Sequence, residues 1–311
     1  MQIGVIGIGR MGGGITRRLC ARGHEVIAFD RDIDQRGMVE SHGAVWADSL
    51  ETLVGLLKEA RRVVWLMLPA GKTTRSVMLE VARLLKANDI VVDGGNSNYK
   101  DSIEADLRLS EMDLAFVDAG TSGGVRGENE GYSLMVGGNK PDVVYLEPVF
   151  ASLIAKEGEL EAFVHTGPAG SGHYTKMIQN GIEYGMMQSL AEGFDLLKRA
   201  SKAHPDFNLD LAAIAGAWRK GSVVQSWLLD LLHEALLKDG SLSAYTGSVP
   251  DSGTGRWTVE TALDTATPAQ VLTTALMQRF ATRQDDPFAS QVLSALRAGF
   301  GGHTEEQSYR P

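Results

Sequence analysis

Four polar side chains in the stretch GHYTKMIQNGIEYG stand out by type and spacing: Lys176, then Asn180, Glu183 and Tyr184 at offsets of four, seven and eight. On a helix that spacing brings all four to one face. An amine and a carboxyl group about two turns apart can serve as base and acid for one substrate lying across them. A solvated charge pair on a surface helix would have the same spacing, so the neighbours decide. Met177, Ile178, Ile182, Met186, Met187 and Leu190 make the helix apolar around most of its circumference, which predicts a buried central helix. Charges placed there need partners or a chemical use.

Such a face is useful only if other elements bring a reactant to it. The first half of the chain alternates short β-branched runs, QIGVIG, EVIAFD, VVWLML, DIVVDGG and LAFVDAG, with amphipathic stretches. This predicts an α/β fold of the doubly wound Rossmann type, with a mostly parallel sheet. SLMVGG and FVHTG extend the sheet, and from Tyr174 onward the chain reads as helices interrupted by the turn-rich loops AHPDFN, KDGSLS and SVPDSGTGR. The expected organisation is a dinucleotide-binding domain over residues 1–168, then an all-α domain over 169–311 for substrate binding and oligomerisation. The junction PAGSG suits a hinge and equally a plain connector.

The cofactor is read from GIGRMG. Gly7, Gly9 and Gly12 follow a strand and open a helix, the context that gives a G-x-G-x-x-G match its meaning. The first glycine permits a tight turn, the second admits a pyrophosphate to the backbone, and the third lets helix and strand pack closely. Asp30 ends the second strand, where it can bind a ribose, and Arg10, Met11, Pro69 and Asn96 complete the expected cofactor set. Asp30 favours a free 2′-hydroxyl, Asp32 adds a second acid, and Arg31 could hold a 2′-phosphate. The balance predicts NAD, with NADP as a weaker second cofactor.

Two further loops fall at strand ends, where ligands of doubly wound sheets gather: DGGNS with Asn96, and GTSGGVRG with Ser122, Gly123 and Gly124. Together GIGRMG, DGGNS, TSGG and K-x-x-x-N-G-I-E-Y resemble the 6-phosphogluconate dehydrogenases in their short-chain form, within the β-hydroxyacid dehydrogenase superfamily. The distance from Pro268 to Arg279 and the tail running from Arg297 through AGFGG to His303 are similar too. The resemblance covers nearly the whole chain.

That resemblance implies oxidation of 6-phosphogluconate at carbon 3, loss of CO2 from the 3-keto acid, and protonation to ribulose 5-phosphate. It assigns Lys176 as base and then hydrogen-bond donor to the ketone, Glu183 as the acid that protonates carbon 1, and Asn180 as their catalytic neighbour. A lysine that must be neutral beside a carboxyl group predicts a bell-shaped dependence of rate on pH. The resemblance further implies that Tyr184, Thr254, Arg279 and Arg297 hold the phosphate, with Ser252 nearby. Ser122, the backbone of Gly123 and Gly124, Asn96 and His303 would hold the carboxylate and hydroxyls. The tail commonly enters a neighbouring subunit's site in this family, which implies a homodimer or homotetramer. Three positions depart from the family pattern: Gln179 where a histidine is usual, Ser252 where long-chain members tend to carry lysine, and Asp30 where NADP-dependent members often have asparagine.

Composition narrows the alternatives. The 311 residues are 43% hydrophobic and 22% charged, room for two folded domains, and the formal charge of −9 argues against non-specific nucleic-acid binding. The single cysteine, Cys20, falls on an apolar helix position and permits no disulfide within the chain. No run is apolar and long enough to span a membrane, and the first strand starts at residue 2 or 3, leaving no room for a signal peptide, so the cytoplasm is expected. Seven scattered histidines offer no zinc-type spacing, so no metal is expected. The competing readings are a hydroxyisobutyrate or tartronate-semialdehyde type dehydrogenase, which needs no second acid, and a non-catalytic NADH sensor, which has no reason to keep four polar groups on one helix face.

Overall fold

Runs such as QIGVI, VVWL and IVVD carry almost no polar side chains, so strands made from them must be covered on both faces. A computed structural model describes residues 1–157, 160–284 and 288–301 and shows this arrangement. The first strands and helices are β1 (Gln2–Ile6), α1 (Arg10–Ala21), β2 (Glu25–Phe29), α2 (Arg36–Glu40), β3 (Val45–Trp46), α3 (Leu50–Leu56), β4 (Val63–Leu66), α4 (Lys72–Ala82), β5 (Ile90–Asp93) and α5 (Tyr99–Ser110). They are followed by β6 (Ala115–Ser122), α6 (Gly127–Glu130), β7 (Ser133–Gly138), α7 (Lys140–Leu153), the two-residue strands β8 (Lys156–Glu157) and β9 (Leu160–Glu161), and β10 (Phe163–Gly167).

Eight strands form one sheet in the order β10-β7-β6-β5-β4-β1-β2-β3, and every pairing is parallel except β6 with β7. Alternate residues feed opposite faces, as a two-residue period requires. Ile3, Val5, Val63, Trp65 and Val92 join α1 and α7 in one layer, while Ile6, Val64, Leu66 and Val91 join α3, α4 and α5 in the other. The mostly parallel Rossmann sheet expected from the sequence is the sheet observed.

The remaining helices are α8 (Ser171–Lys198), α9 (Leu211–Trp218), α10 (Trp227–Lys238), α11 (Thr254–Asp264), α12 (Gln270–Ala281) and α13 (Phe288–Gly301). Asp210 and Ser226 cap α9 and α10 by accepting from the backbone N–H of Ala213 and Leu229. Residue contacts divide the chain into two units that meet within α8, one ending at Gly181 and the next beginning at Ile182. The second unit holds two small cores, Phe194 with Ala215, Leu229 and Leu236, and Tyr184 with Ala275 and Leu276.

Two expectations change. The stretch SVPDSGTGR is not all loop, because α11 opens at Thr254. Gly255 and the β-branched Thr254, Thr258, Val259 and Thr261 are poor helix formers, and burial of Thr254, Thr258 and Thr261 overrides that propensity. The apolar circumference of α8 is also not covered throughout: Met177 is buried, but Ile182, Met186 and Met187 are 50%, 44% and 39% exposed in the single chain. Among the described residues no helix is long and apolar enough to cross a membrane.

Candidate active site

The glycine loop is built by close approach. Gly7 has φ +93°, and a Cβ there would lie 2.5 Å from the Met67 carbonyl oxygen; one at Gly12 would lie 1.8 Å from that of Gly7. Both positions therefore require glycine. A Cβ at Gly9 would meet nothing within 4 Å, so there the missing side chain leaves access to the helix N-terminus. The Asp30 carboxylate, at the end of β2, accepts from the Ile8 N–H at 2.5 Å and from the Asp32 N–H at 2.9 Å, tying the glycine loop to the neighbouring strand end. Arg10 and Arg31 are exposed and Met11 is half-buried. Pro69, just past β4, is exposed and its carbonyl accepts from the Thr74 hydroxyl at 2.8 Å. An open helix end beside a carboxylate at the tip of β2 fits the pyrophosphate and ribose of a dinucleotide.

The second feature of this unit is the start of α8. Asp118, on β6 and fully buried, accepts from the backbone N–H of Gly170 and of His173, each at 2.7 Å, and so caps the helix. The His173 Nδ1 faces the Ser102 hydroxyl of α5 at 2.7 Å. Glycines let helix and sheet approach: a Cβ on Gly120 would fall 2.5 Å from the Lys176 Cβ, and one on Gly172 would fall 2.6 Å from the Asp118 carbonyl oxygen. The result places Lys176, 7% exposed, against β6 two residues before Ser122 on that strand.

Side chains then connect across this unit. The Lys176 Nζ donates to Gln179 Oε1 at 2.6 Å and to Asn180 Oδ1 at 2.9 Å. Gln179 Nε2 donates to Ser122 Oγ at 3.2 Å, and Asn180 Nδ2 points to Asn96 Oδ1 at 3.4 Å. Lys176, Asn180, Ser122 and Asn96 are thus brought together, while Gly123 and Gly124 follow Ser122 with φ of +133° and +53°. The loop after them is anchored to α1: Arg17 pairs with Glu128, and buried Arg18 donates to the carbonyls of Glu128, Asn129, Ser152 and Ile154. Desolvation pulls the Arg18 guanidinium below its ordinary value.

The second unit gathers a different set. The Arg279 guanidinium stacks 3.5 Å above the Tyr184 ring and donates to the Pro250 carbonyl at 3.0 Å. Tyr184 is also packed against Gly255, where a Cβ would lie 2.5 Å from the ring. Ser252 and Thr254 exchange a hydroxyl contact at 3.0 Å, with Thr254 buried. Between them the loop is braced by Asp251, which accepts from Arg256, Arg283 and the Gly253 N–H. Those bonds, from Arg256 first, draw its carboxyl down to about 2. Glu183 is half-buried on α8, and Arg297 stands exposed on α13, making no hydrogen bond or ion pair among the described residues. His303 lies outside the described residues.

Sequence reasoning passed over Asp118, Arg18 and the bridging by Gln179. An acid inside the apolar run AFVDAG and an arginine between Thr16 and Leu19 on an otherwise apolar helix face were the available signals.

A family model described as the NAD binding domain of 6-phosphogluconate dehydrogenase matches residues 2–167, and one for the 6-phosphogluconate dehydrogenase C-terminal domain matches residues 172–307. The chain belongs to the 6-phosphogluconate dehydrogenase family. It is therefore a nicotinamide-dependent oxidoreductase by family, with its NAD-binding domain first. The NAD(+)-dependent, decarboxylating 6-phosphogluconate dehydrogenase of Haloferax volcanii is 40% identical over 304 residues, covering 97% of this chain and 98% of its own. The NADP(+)-dependent, decarboxylating enzyme of Bacillus subtilis is 32% identical over 94% of this chain, which spans 64% of that relative. Among solved structures, Plasmodium falciparum 6-phosphogluconate dehydrogenase, determined with NADP+ and with 6-phosphogluconate, superposes with a TM-score of 0.83 at 25% identity, over 97% of this chain and 65% of that one. A Salmonella typhimurium 3-hydroxyisobutyrate dehydrogenase shares the fold at a TM-score of 0.74 and 20% identity, over 90% of this chain and 93% of that one.

Proposed function

We propose that the protein catalyses oxidative decarboxylation of 6-phosphogluconate to ribulose 5-phosphate and CO2, using NAD in preference to NADP. The observation that carries this reading is the buried Lys176 amine, bonded to Asn180 on the helix that is capped by the strand bearing Ser122. The glycine loop and Asp30 would hold the cofactor, with Arg10, Met11, Pro69 and Asn96 around it and Arg31 at the 2′ position. When bound, the nicotinamide supplies the hydride acceptor. Lys176, as a neutral amine, accepts the proton of the 3-hydroxyl; as an ammonium it then hydrogen-bonds the ketone and stabilises the enolate left by CO2. Glu183 protonates the former carbon 2, which becomes carbon 1 of ribulose 5-phosphate. Ser122, Gly123, Gly124 and Asn96 orient the carboxylate and hydroxyls, with His303 assigned to the same end.

Tyr184, Ser252, Thr254, Arg279 and Arg297 take the phosphate. The Tyr184–Arg279 stack supports this, because it holds the guanidinium in one orientation, as a bidentate phosphate donor requires. The functional division is placed at 168/169, and the working unit is a homodimer or homotetramer. The test is incubation of the full chain with 1-13C-labelled 6-phosphogluconate and each nicotinamide in turn. Labelled CO2 with equimolar NADH, and a higher kcat/KM for NAD than for NADP, is expected. Reduced cofactor from a short β-hydroxyacid without CO2 from 6-phosphogluconate would replace this reading by the simpler dehydrogenase.

A further inference from the structure

Gln179 is held at both ends. Its Oε1 accepts from Lys176 Nζ at 2.6 Å and its Nε2 donates to Ser122 Oγ at 3.2 Å. While Lys176 is an ammonium, which has three N–H donors and no lone pair, the amide faces it with its carbonyl end. Asn180 Oδ1 accepts from the same nitrogen at 2.9 Å. Two amide oxygens therefore take two N–H bonds of one amine. A neutral amine has two hydrogens and a lone pair, so this pair of acceptors sets the direction of the fourth tetrahedral position. That position carries the lone pair when the amine is neutral and the third hydrogen when it is charged.

We propose that Gln179 is a positioning residue: with Asn180 it aims Lys176 at the substrate hydroxyl, and through Ser122 it ties that aim to the loop that orients the substrate carboxylate. The inference rests on Lys176 as the base of the reaction proposed above. Neither amide titrates, so the aim is the same before and after the proton moves. A histidine at this position could accept from the lysine only while its own ring is neutral. The acceptor here is thus independent of pH where the family's usual residue is not.

Other ionisable groups on the surrounding elements are Asp118 on β6, Asp93 at the end of β5, Tyr99, Lys100, Asp101, Glu104, Asp106 and Arg108 on α5, and His173, Tyr174, Glu183 and Tyr184 on the first half of α8. Asp118 is committed to backbone N–H groups, and Asp93 to the Gly95 N–H and the Ser97 hydroxyl. All are unchanged in position 179 variants, so differences between those variants report on this residue.

The experiment compares wild type with Gln179→Met, Gln179→Glu and Gln179→His, measuring kcat and both KM values across pH, NADH binding and thermal unfolding. Gln179→Met removes an acceptor that favours the charged amine, so the acidic limb of kcat moves to lower pH while kcat falls about 10-fold or more and the KM for NAD holds. Gln179→Glu places an anion there, and the limb moves up by about one pH unit or more. Gln179→His retains an acceptor at high pH and loses rate as the ring protonates. Opposite movements in Met and Glu variants are not expected of a residue that only packs. If both variants fold, bind NADH and keep the wild-type limb, the proposal is overturned. If wild-type protein releases no CO2 from 6-phosphogluconate, the functional reading fails separately. The aim of Lys176 is then read from NMR titration of 13Cε-labelled lysine, whose midpoint must still move in opposite senses in the two variants.

Discussion

At the scale of single residues, the decisive group is an amine with little exposure and two amide acceptors. Lys176→Met keeps the volume and removes the base, so kcat should fall about 10³-fold, within the range of general acid–base contributions, while NADH titrated by fluorescence binds as before. Loss of NADH binding together with rate would mean that the residue supports the fold instead. Lys176, Asn180, Asn96 and Ser122 were legible in the sequence because helical spacing and strand-end position are local properties. The bridge made by Gln179 and the cap made by Asp118 were not. Their importance lies in partners 57 and 52 residues away, Ser122 and Gly170 respectively, and no short window contains both members of either pair.

Elements explain why those residues hold still. The first turn of α8 is pressed onto β6 through glycines, and Gly120→Ala would push a methyl group to 2.5 Å from the Lys176 Cβ. Overpacking of this kind costs about 1–3 kcal/mol. The expected outcome is a lower melting temperature and a larger loss in kcat than in NAD affinity, because the glycine loop is on other strands. In the second unit the loop before α11 depends on ionised Asp251. Its folded-state value, about 2, lies below the ordinary 3.8, so its stabilising contribution is present above pH 4 and is lost as pH falls toward 2. The melting-temperature gap between wild type and Asp251→Asn should be constant from neutral pH down to about 5 and close between about 4 and 2; a gap that persists at pH 2 would rule out the ion pairs as its source. The strands were readable because residues covered on both faces leave a continuous apolar signature. Helix α11 was hidden by threonines and glycine that disfavour helix locally and are retained by packing.

For the molecule as a whole, the second unit leaves apolar side chains in water that a lone chain would be expected to cover. Val224 before α10, and Trp227, Leu231 and Leu237 on it, are all exposed. A second copy is the covering that the proposed homodimer supplies. Sedimentation at micromolar concentration should give two or four times the 33.5 kDa chain mass, and Val224→Asp with Leu231→Asp should shift it toward one. A wild-type protein that sediments as a single chain would remove the oligomer from the proposal. Helix α8 runs unbroken from Ser171 to Lys198. Each helical residue advances the side-chain direction by about 100° and the axis by about 1.5 Å. The interval from Lys176 to Glu183 is thus a gauge cut to length: deleting or adding one residue there would swing every later side chain by roughly a quarter turn, while many exchanges of residue type would not. Evolution can therefore edit the letters of that segment far more freely than it can edit their number.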